Sequence, residues 1–459
     1  MDFRKRLLAI LAIVCVMAGI LYVGGSGMPI RNEMEHSLFQ KDKETIYFWY
    51  SDESMTDFLN RAAVSFGEER DVRVLPVLVS DDTYLEDINE ASLLGEQVPD
   101  AYILNNDSLE KAYLAGLASV IRDEALICTE DNFPITALNA VTYKDKMVAY
   151  PYYYETSAFL YNKTYLDAWA AEQQANAESD GDSEVIDDEE SSELTAEQIQ
   201  TGIPATMDEV LAFANNYDAP ENVDAVFRWD VSDIFYNYCF VGNYMVVGGE
   251  TGDDENQISI YNEETKKCLE IYQNLNQFFY IESDSVTYES VIEDFMEGKI
   301  VFTIATTDVI AKLDAAKADG SFAYEYGIAR IPAPSEELSG RSLSVTNCVV
   351  VNGYSEHKDL ANEFATYLTG EYYPDLYART GKASANYAAN PENPALMMFM
   401  KEYENADSLP KMIQASNFWI QLEILFSRVW EGGDADALLL ELSDQIFLQV
   451  GVTNILQAQ

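Results

Sequence analysis

The sequence predicts an α/β fold, a mainly parallel sheet with helices packed on both of its faces. Three observations carry that prediction. Short apolar strands alternate with helical stretches from Thr45 onward. Several helical stretches open on residues that cap helix N-termini and close on Gly. The apolar fraction is 48% over 459 residues, which is enough for a packed core and for two or three domains by size.

Taken in order, Thr45–Tyr50 (TIYFWY) is a first strand, with Trp49 inside it as a core residue. Ser54 and Asp57 are placed to cap the helix that follows, and Val72–Val79 is the second strand. A helix running to about Leu94 precedes a third strand, Ala101–Leu104. Ser108 is then placed to cap a helix that stops near Gly116. This β-α-β-α-β order makes the strands parallel neighbours. Tyr143–Lys163 (YKDKMVAYPYYYETSAFLYNK) reads as a charged turn, a short apolar strand ending at Pro151, and a second strand at Ala158–Tyr161.

The long break comes at 172–197, acidic and without Lys or Arg, which predicts a disordered or mobile surface insertion. It lacks the spacing of a calcium-binding loop. Order resumes with a helix start at Pro204, where Thr206 caps with Glu209 three residues on. An aromatic-rich strand, loop and helix fill 226–249, and 262–280 is an amphipathic helix. Glu289–Glu297 is a short helix stopped by Gly298, followed by strand Ile300–Ala305, with Thr306 and Thr307 capping the next helix. Tyr326–Ile331 is a strand, and 359–369, Asn417–Trp430 and about Asp434–Val450 are helices.

Charge and motif content exclude several function classes. A formal net charge of −51 repels nucleic-acid backbones and anionic lipid alike. Neither a G-x-S-x-G elbow nor a phosphate-binding Gly-rich turn is present, and His36 and His357 are the only histidines. Cys128, Cys239, Cys268 and Cys348 are too widely spaced for zinc and read as buried free thiols. No enzyme activity, metal or cofactor is expected. Residues 1–27 pair a basic flank with an apolar run from Leu7 to Val23, as a cleaved signal peptide or a retained membrane anchor would, and 28–43 is a polar linker. The body is therefore expected to be exported, held outside the cytoplasmic membrane or secreted.

In α/β sheets, ligands sit beyond the carboxyl ends of strands. Asp52 follows the first strand, Asp107 the third, Asp308 the strand at 300–305, and Trp229 with Asp230 the strand around Val226. Tyr152, Tyr153 and Tyr154 run into Glu155, and two readings fit them. Flat rings beside an isolated carboxylate suit a polyhydroxylated ligand; the same residues also suit a Tyr-rich buried strand with one edge carboxylate. Alternation along an extended segment turns about half of these tyrosines away from any cleft.

The stretch from Tyr143 to Lys163 resembles the YP…E…YNK signature of extracellular solute-binding proteins of ABC importers, in the maltose-binding-like group. Val98–Asp107 resembles that family's PD strand and loop, Phe295–Ile304 its F-x-x-G-K strand, Asp359–Leu368 its A-x-x-F-x-x-Y-L helix and Ser416–Trp419 its late aromatic motif. The pieces fall in the family's order over roughly residues 44 to 455. The resemblance implies a two-lobed periplasmic-binding-protein-like fold. It implies a first lobe of about 44–153 plus 332–382 and a second of about 158–325 plus 385–455. It places Glu155 at the lobe crossover in contact with ligand, Asp52 and Asp107 as hydroxyl acceptors and Trp419 as a stacking ring. Asp308 stands where many sugar binders carry a tryptophan, and Ser108 where the maltose binder has an arginine. The implied function is capture of a saccharide by a monomeric receptor, hinge closure, and delivery to a membrane permease. Two alternatives keep other partners in view: an anchored ligand-binding module for a sensor or adhesion partner, and a secreted carbohydrate-active enzyme.

Overall fold

The structure, a computed structural model, describes residues 43–80, 82–95, 97–180, 202–283, 285–389 and 392–451. The predicted export segment and most of the linker lie outside the described residues, as does 181–197 of the predicted insertion. Among the described residues no helix is long and apolar enough to cross a membrane.

Ten strands form one curled mixed sheet. They are β1 (Thr45–Tyr50), β2 (Arg73–Leu78), β3 (Ala101–Asn105), β4 (Tyr150–Asn162), β5 (Ala225–Phe227), β6 (Ile300–Thr306), β7 (Tyr326–Ala329), β8 (Leu343–Val351), β9 (Ala383–Ser384) and β10 (Asp407–Ser408). The main order is β2-β1-β3-β8-β4-β6-β5, with β7 and β9 paired to β4 and β10 paired to β8. β1, β2 and β3 are parallel, as their β-α-β-α-β order requires, and β5 is parallel to β6. β8 runs antiparallel to β3 and β4 but parallel to β10, and β4 runs antiparallel to β6, β7, β8 and β9.

Where two strands were expected around the tyrosines, β4 is a single strand of 13 residues. Tyr150–Thr156 pair β8, with a register shift at Asn347/Cys348, and Ser157–Asn162 pair β6 and β7. Pro151 is tolerated at the second position of this strand, where it removes one ladder donor. β4 changes partners between Thr156 and Ser157, one residue beyond Glu155, so one residue-to-residue step carries the chain from one half of the sheet to the other. β8 was not read from sequence. Its run LSVTNCVVV shows no apolar–polar alternation, as expected of a strand buried on both faces, although Asn352-Gly353 marks its end as a turn.

The helices follow the predicted positions, but some caps differ. Asp52, rather than Ser54 or Asp57, caps the first helical turn by accepting from the Ser54 amide at 2.9 Å. Ser108 makes no side-chain cap, whereas Thr206 accepts from the Glu209 amide at 3.2 Å. Asp308, not the preceding threonines, occupies the N-cap position of helix Val309–Asp319. Residues 172–180, expected to be part of the mobile insertion, continue helix Lys163–Asp180. Helix Pro394–Asn405 was not anticipated; Asn393 caps it and Pro394 opens it. The four cysteines at 128, 239, 268 and 348 are free and buried.

Candidate functional site

The site forms where β4 changes partners. Glu155 pairs with Val345 of β8 and projects a half-exposed carboxylate into a cavity of about 580 Å3. Four rings, Phe235, Tyr236, Tyr288 and Trp419, line this cavity. So do the carboxylates Glu155, Asp233, Glu289 and Asp308 and the ammonium groups of Lys312 and Lys382.

Each wall is positioned by packing behind it. Helix Phe418–Trp430 buries Phe418, Leu422, Leu425, Phe426, Val429 and Trp430. That anchored stripe leaves Trp419 half-buried at the first turn, with its ring edge-on to Phe418 at 5.0 Å and Tyr238 at 5.7 Å. On the other wall the rings of Tyr236 and Tyr288 stack at 5.0 Å and 17°. The Tyr288 hydroxyl donates to Asp308 Oδ1 at 2.9 Å, and Lys312 Nζ lies 2.6 Å from Asp308 Oδ2. Burial pushes the Asp308 carboxyl up, but the bonds from Lys312, Thr306 and Tyr288 outweigh it and hold the group below its ordinary 3.8. Lys312 follows Asp308 by one helical turn, so the pair is a local i,i+4 contact.

A cation that sequence reasoning missed joins two of the predicted acids. Lys382 Nζ lies 2.9 Å from Asp52 Oδ2 and 3.3 Å from Glu155 Oε1, and 5.7 Å from the centroid of the Tyr153 ring. Burial opposes the charge on Lys382, yet Glu155 and Asp52 outweigh it and raise its pKa. Asp52 is likewise lowered on balance: burial raises it, and the bonds from Ser54 and Lys382 prevail. Asp52 also borders a second cavity of about 240 Å3 at the carboxyl ends of β1 and β3, beside Asn105, Tyr153 and Asn347.

The cavity therefore brings together Glu155, Asp308 and Trp419 from the sequence-predicted set, with Asp52 tied to it through Lys382. The other five stand elsewhere. Tyr152 and Tyr154 are fully buried, Tyr154 stacked on Tyr403 at 4.0 Å and 3°, so of the two readings of the tyrosine run the core one describes them. Tyr153, between them, is the tyrosine that borders the smaller cavity. Trp229 is fully buried, parallel to Phe227 at 4.4 Å, with its Nε1–H donated to Asn237 Oδ1 at 2.8 Å. Asp230 is buried behind the cavity wall, where its Oδ1 accepts from the Ser232 amide and hydroxyl and its Oδ2 from the Tyr288 amide at 3.0 Å. Both residues follow β5 as predicted, but β5 ends inside the aromatic core rather than at a cleft. Asp107 sits in a single 3-10 turn, and its buried Oδ1 has no hydrogen-bond partner among the described residues. Burial, only partly offset by bonds from Ser108, raises its pKa.

Tyr236, Tyr288, Lys312 and Lys382 were not anticipated. The i,i+4 spacing of Asp308 and Lys312 was a usable local signal. Lys382 gave none, because its partners lie hundreds of residues away in sequence.

The sequence model of the family described as bacterial extracellular solute-binding protein matches residues 62–407. A search among curated proteins found no match. Among solved structures, the fold is similar to that of an extracellular solute-binding protein from Staphylococcus aureus in complex with maltose, at 19% identity and a TM-score of 0.71 over 90% of this chain and 99% of that one. It is similar to a cyclo/maltodextrin-binding protein complexed with maltotetraose, at 17% identity and a TM-score of 0.70 over 90% and 98%. A maltose-binding periplasmic protein from Listeria monocytogenes in complex with maltose gives 19% and 0.69 over 90% and 99%. With the two-lobed α/β architecture these neighbours share and the match over most of its length, the chain belongs to the bacterial extracellular solute-binding protein family.

Proposed function

We propose that this protein is the exported receptor of an ABC importer and captures a saccharide between its lobes. The carrying observation is the composition of the 580 Å3 cavity: the rings of Trp419, Tyr236 and Tyr288 line it together with the acceptors Glu155 and Asp308. Rings stack on the apolar C–H face of a sugar while carboxylates accept from its hydroxyls, and a volume of this order holds a small oligosaccharide. The maltose and maltodextrin complexes among the structural neighbours support the same ligand class.

In this reading, residues 44–153 with 332–382 form the first lobe and 158–325 with 385–455 the second. Glu155 stands where β4 passes from one to the other. A ligand touching both lobes favours the closed form by its differential affinity for it. The closed form then docks on a membrane permease, and the N-terminal segment either anchors the monomeric receptor or is removed on export. No covalent chemistry is involved.

The test is isothermal titration of the protein with maltose, maltotriose and a panel of other neutral saccharides, followed by product analysis. Binding without turnover supports the receptor reading. Turnover would move the protein to the carbohydrate-active enzymes, and binding of peptides or polyamines alone would overturn the ligand class.

A further inference from the structure

Lys382 is built into the cavity rather than draped over it. It follows Gly381, whose φ of +73° is a left-handed helix C-cap, and its amide donates to Thr380 Oγ1 at 3.1 Å. The next two residues form β9 and pair with Tyr154 and Tyr153 of β4. The backbone is thus fixed on both sides of the lysine. Its ammonium is then held by Asp52 at 2.9 Å and Glu155 at 3.3 Å, over the Tyr153 ring, with the side chain 23% exposed and lining the cavity.

This arrangement leaves specific hydrogen-bonding capacity. Asp52 is occupied on both oxygens, by Lys382 and by the Ser54 amide. Glu155 contacts Lys382 through Oε1, and its Oε2 has no hydrogen-bond partner among the described residues. An ammonium carries three donors, and two point at carboxylates. One donor of Lys382 and an adjacent acceptor of Glu155 are thus left over on two residues that line the same cavity.

We propose that Lys382 is a ligand-contacting, specificity-determining residue: it donates to one hydroxyl of a vicinal pair while Glu155 accepts from the neighbouring hydroxyl. The site then prefers neutral saccharides to acidic ones. This rests on the saccharide reading above and deepens it. The charge balance points the same way. The cavity lining carries Glu155, Asp233, Glu289 and Asp308 against only Lys312 and Lys382, and each lysine is already paired with carboxylate. A sugar acid would bring a further negative charge to a site whose cations are spent. Removing the lysine, in turn, leaves Asp52 and Glu155 facing one another without a cation, a seat fitted to a sugar ammonium.

The experiment titrates the full-length protein, Lys382→Met and Lys382→Arg with maltotriose, glucuronate, glucose and glucosamine. Wild type is expected to bind maltotriose and to reject glucuronate relative to glucose. Lys382→Met is expected to lose about tenfold or more for maltotriose, the worth of one charge-assisted hydrogen bond, and to raise the glucosamine-to-glucose affinity ratio. Lys382→Arg is expected to recover part of the loss. Should Lys382→Met not fold, the Lys382 ε-methylene NMR signal, assigned through Lys382→Arg, is expected to move when maltotriose is added to unmodified wild type. Unchanged maltotriose affinity and ratio in Lys382→Met, or an unmoved Lys382 signal in a protein that binds the sugar, overturns this proposal and leaves the saccharide reading standing. Wild type that binds none of the sugars overturns the saccharide reading, and this proposal with it.

Discussion

Trp229 and Trp419 belong to one residue type and meet opposite fates. Trp229 lies in a fully buried aromatic stack, parallel to Phe227, edge-on to Trp430 at 5.5 Å, with its indole N–H consumed by Asn237. Trp419 is half-buried, steeply tilted against the rings of Phe418 and Tyr238, and lines the cavity. A tryptophan whose polar atom and both faces are satisfied inside the protein has nothing left to offer a ligand. One left half-buried at a cavity wall offers a stacking platform. The same contrast separates Asp230, saturated by loop amides and the Ser232 hydroxyl, from Glu155, whose Oε2 has no hydrogen-bond partner among the described residues.

The largest effect should therefore come from the residue that no ligand touches. Trp229→Ala removes a fully buried ring from a close-packed stack and orphans Asn237 Oδ1, so a loss of about 3–5 kcal/mol of stability is expected in urea unfolding. A loss under about 1 kcal/mol would place Trp229 outside the core. Trp419→Ala should do the reverse. Saccharide affinity should fall by about 1–2 kcal/mol, roughly 5- to 30-fold, with the unfolding midpoint little changed. Wild-type affinity in that variant would remove the stacking wall from the site.

How far the sequence exposed these differences depended on how local their causes were. β1, β2, β3 and β6 were legible because each is a short apolar run beside a cap or a Gly stop. The two partners of the chain crossing were less so. β4 looked like two strands because Pro151 and the polar pair Glu155–Thr156 interrupt its apolar pattern, yet tertiary pairing carries the ladder through. β8 was invisible because a strand buried on both faces shows no alternation. At the site, Asp52, Glu155, Asp308 and Trp419 were found by position after a strand or by family resemblance. Trp229 and Asp230 satisfied the same positional rule and failed it in space, since the rule says where a strand ends and not what packs over that end. Lys382 needed three segments to meet and had no local mark at all.

Asp308 offers a sharper comparison within the cavity, between a carboxylate paired to a lysine and Asp233 and Glu289, which make no ion pair among the described residues. Its folded pKa lies below the ordinary 3.8, so the carboxylate's contribution to stability is present above that value and is lost as pH falls through the folded pKa. Asp308→Asn should then be less stable than wild type near neutral pH, and the gap should close as pH drops below 3.8. Parallel melting curves for the two proteins from pH 6 to pH 3 measure it. A gap constant with pH would mean that the bonds from Lys312 and Tyr288 do not favour the ionised form.

The smallest effect is also the most direct check on the tyrosine run. Tyr152 is buried with no exposed surface, and its hydroxyl has no hydrogen-bond partner among the described residues. A buried, unsatisfied hydroxyl costs stability, so Tyr152→Phe should leave stability unchanged or raise it by up to about 1 kcal/mol. Saccharide affinity should stay at the wild-type value, because the ring and its packing remain and no ligand atom reaches the hydroxyl. If Tyr152→Phe weakened binding several-fold, the hydroxyl would have to reach the cavity. The division of β4 into a buried tyrosine half and a ligand-facing residue at Glu155 would then be wrong.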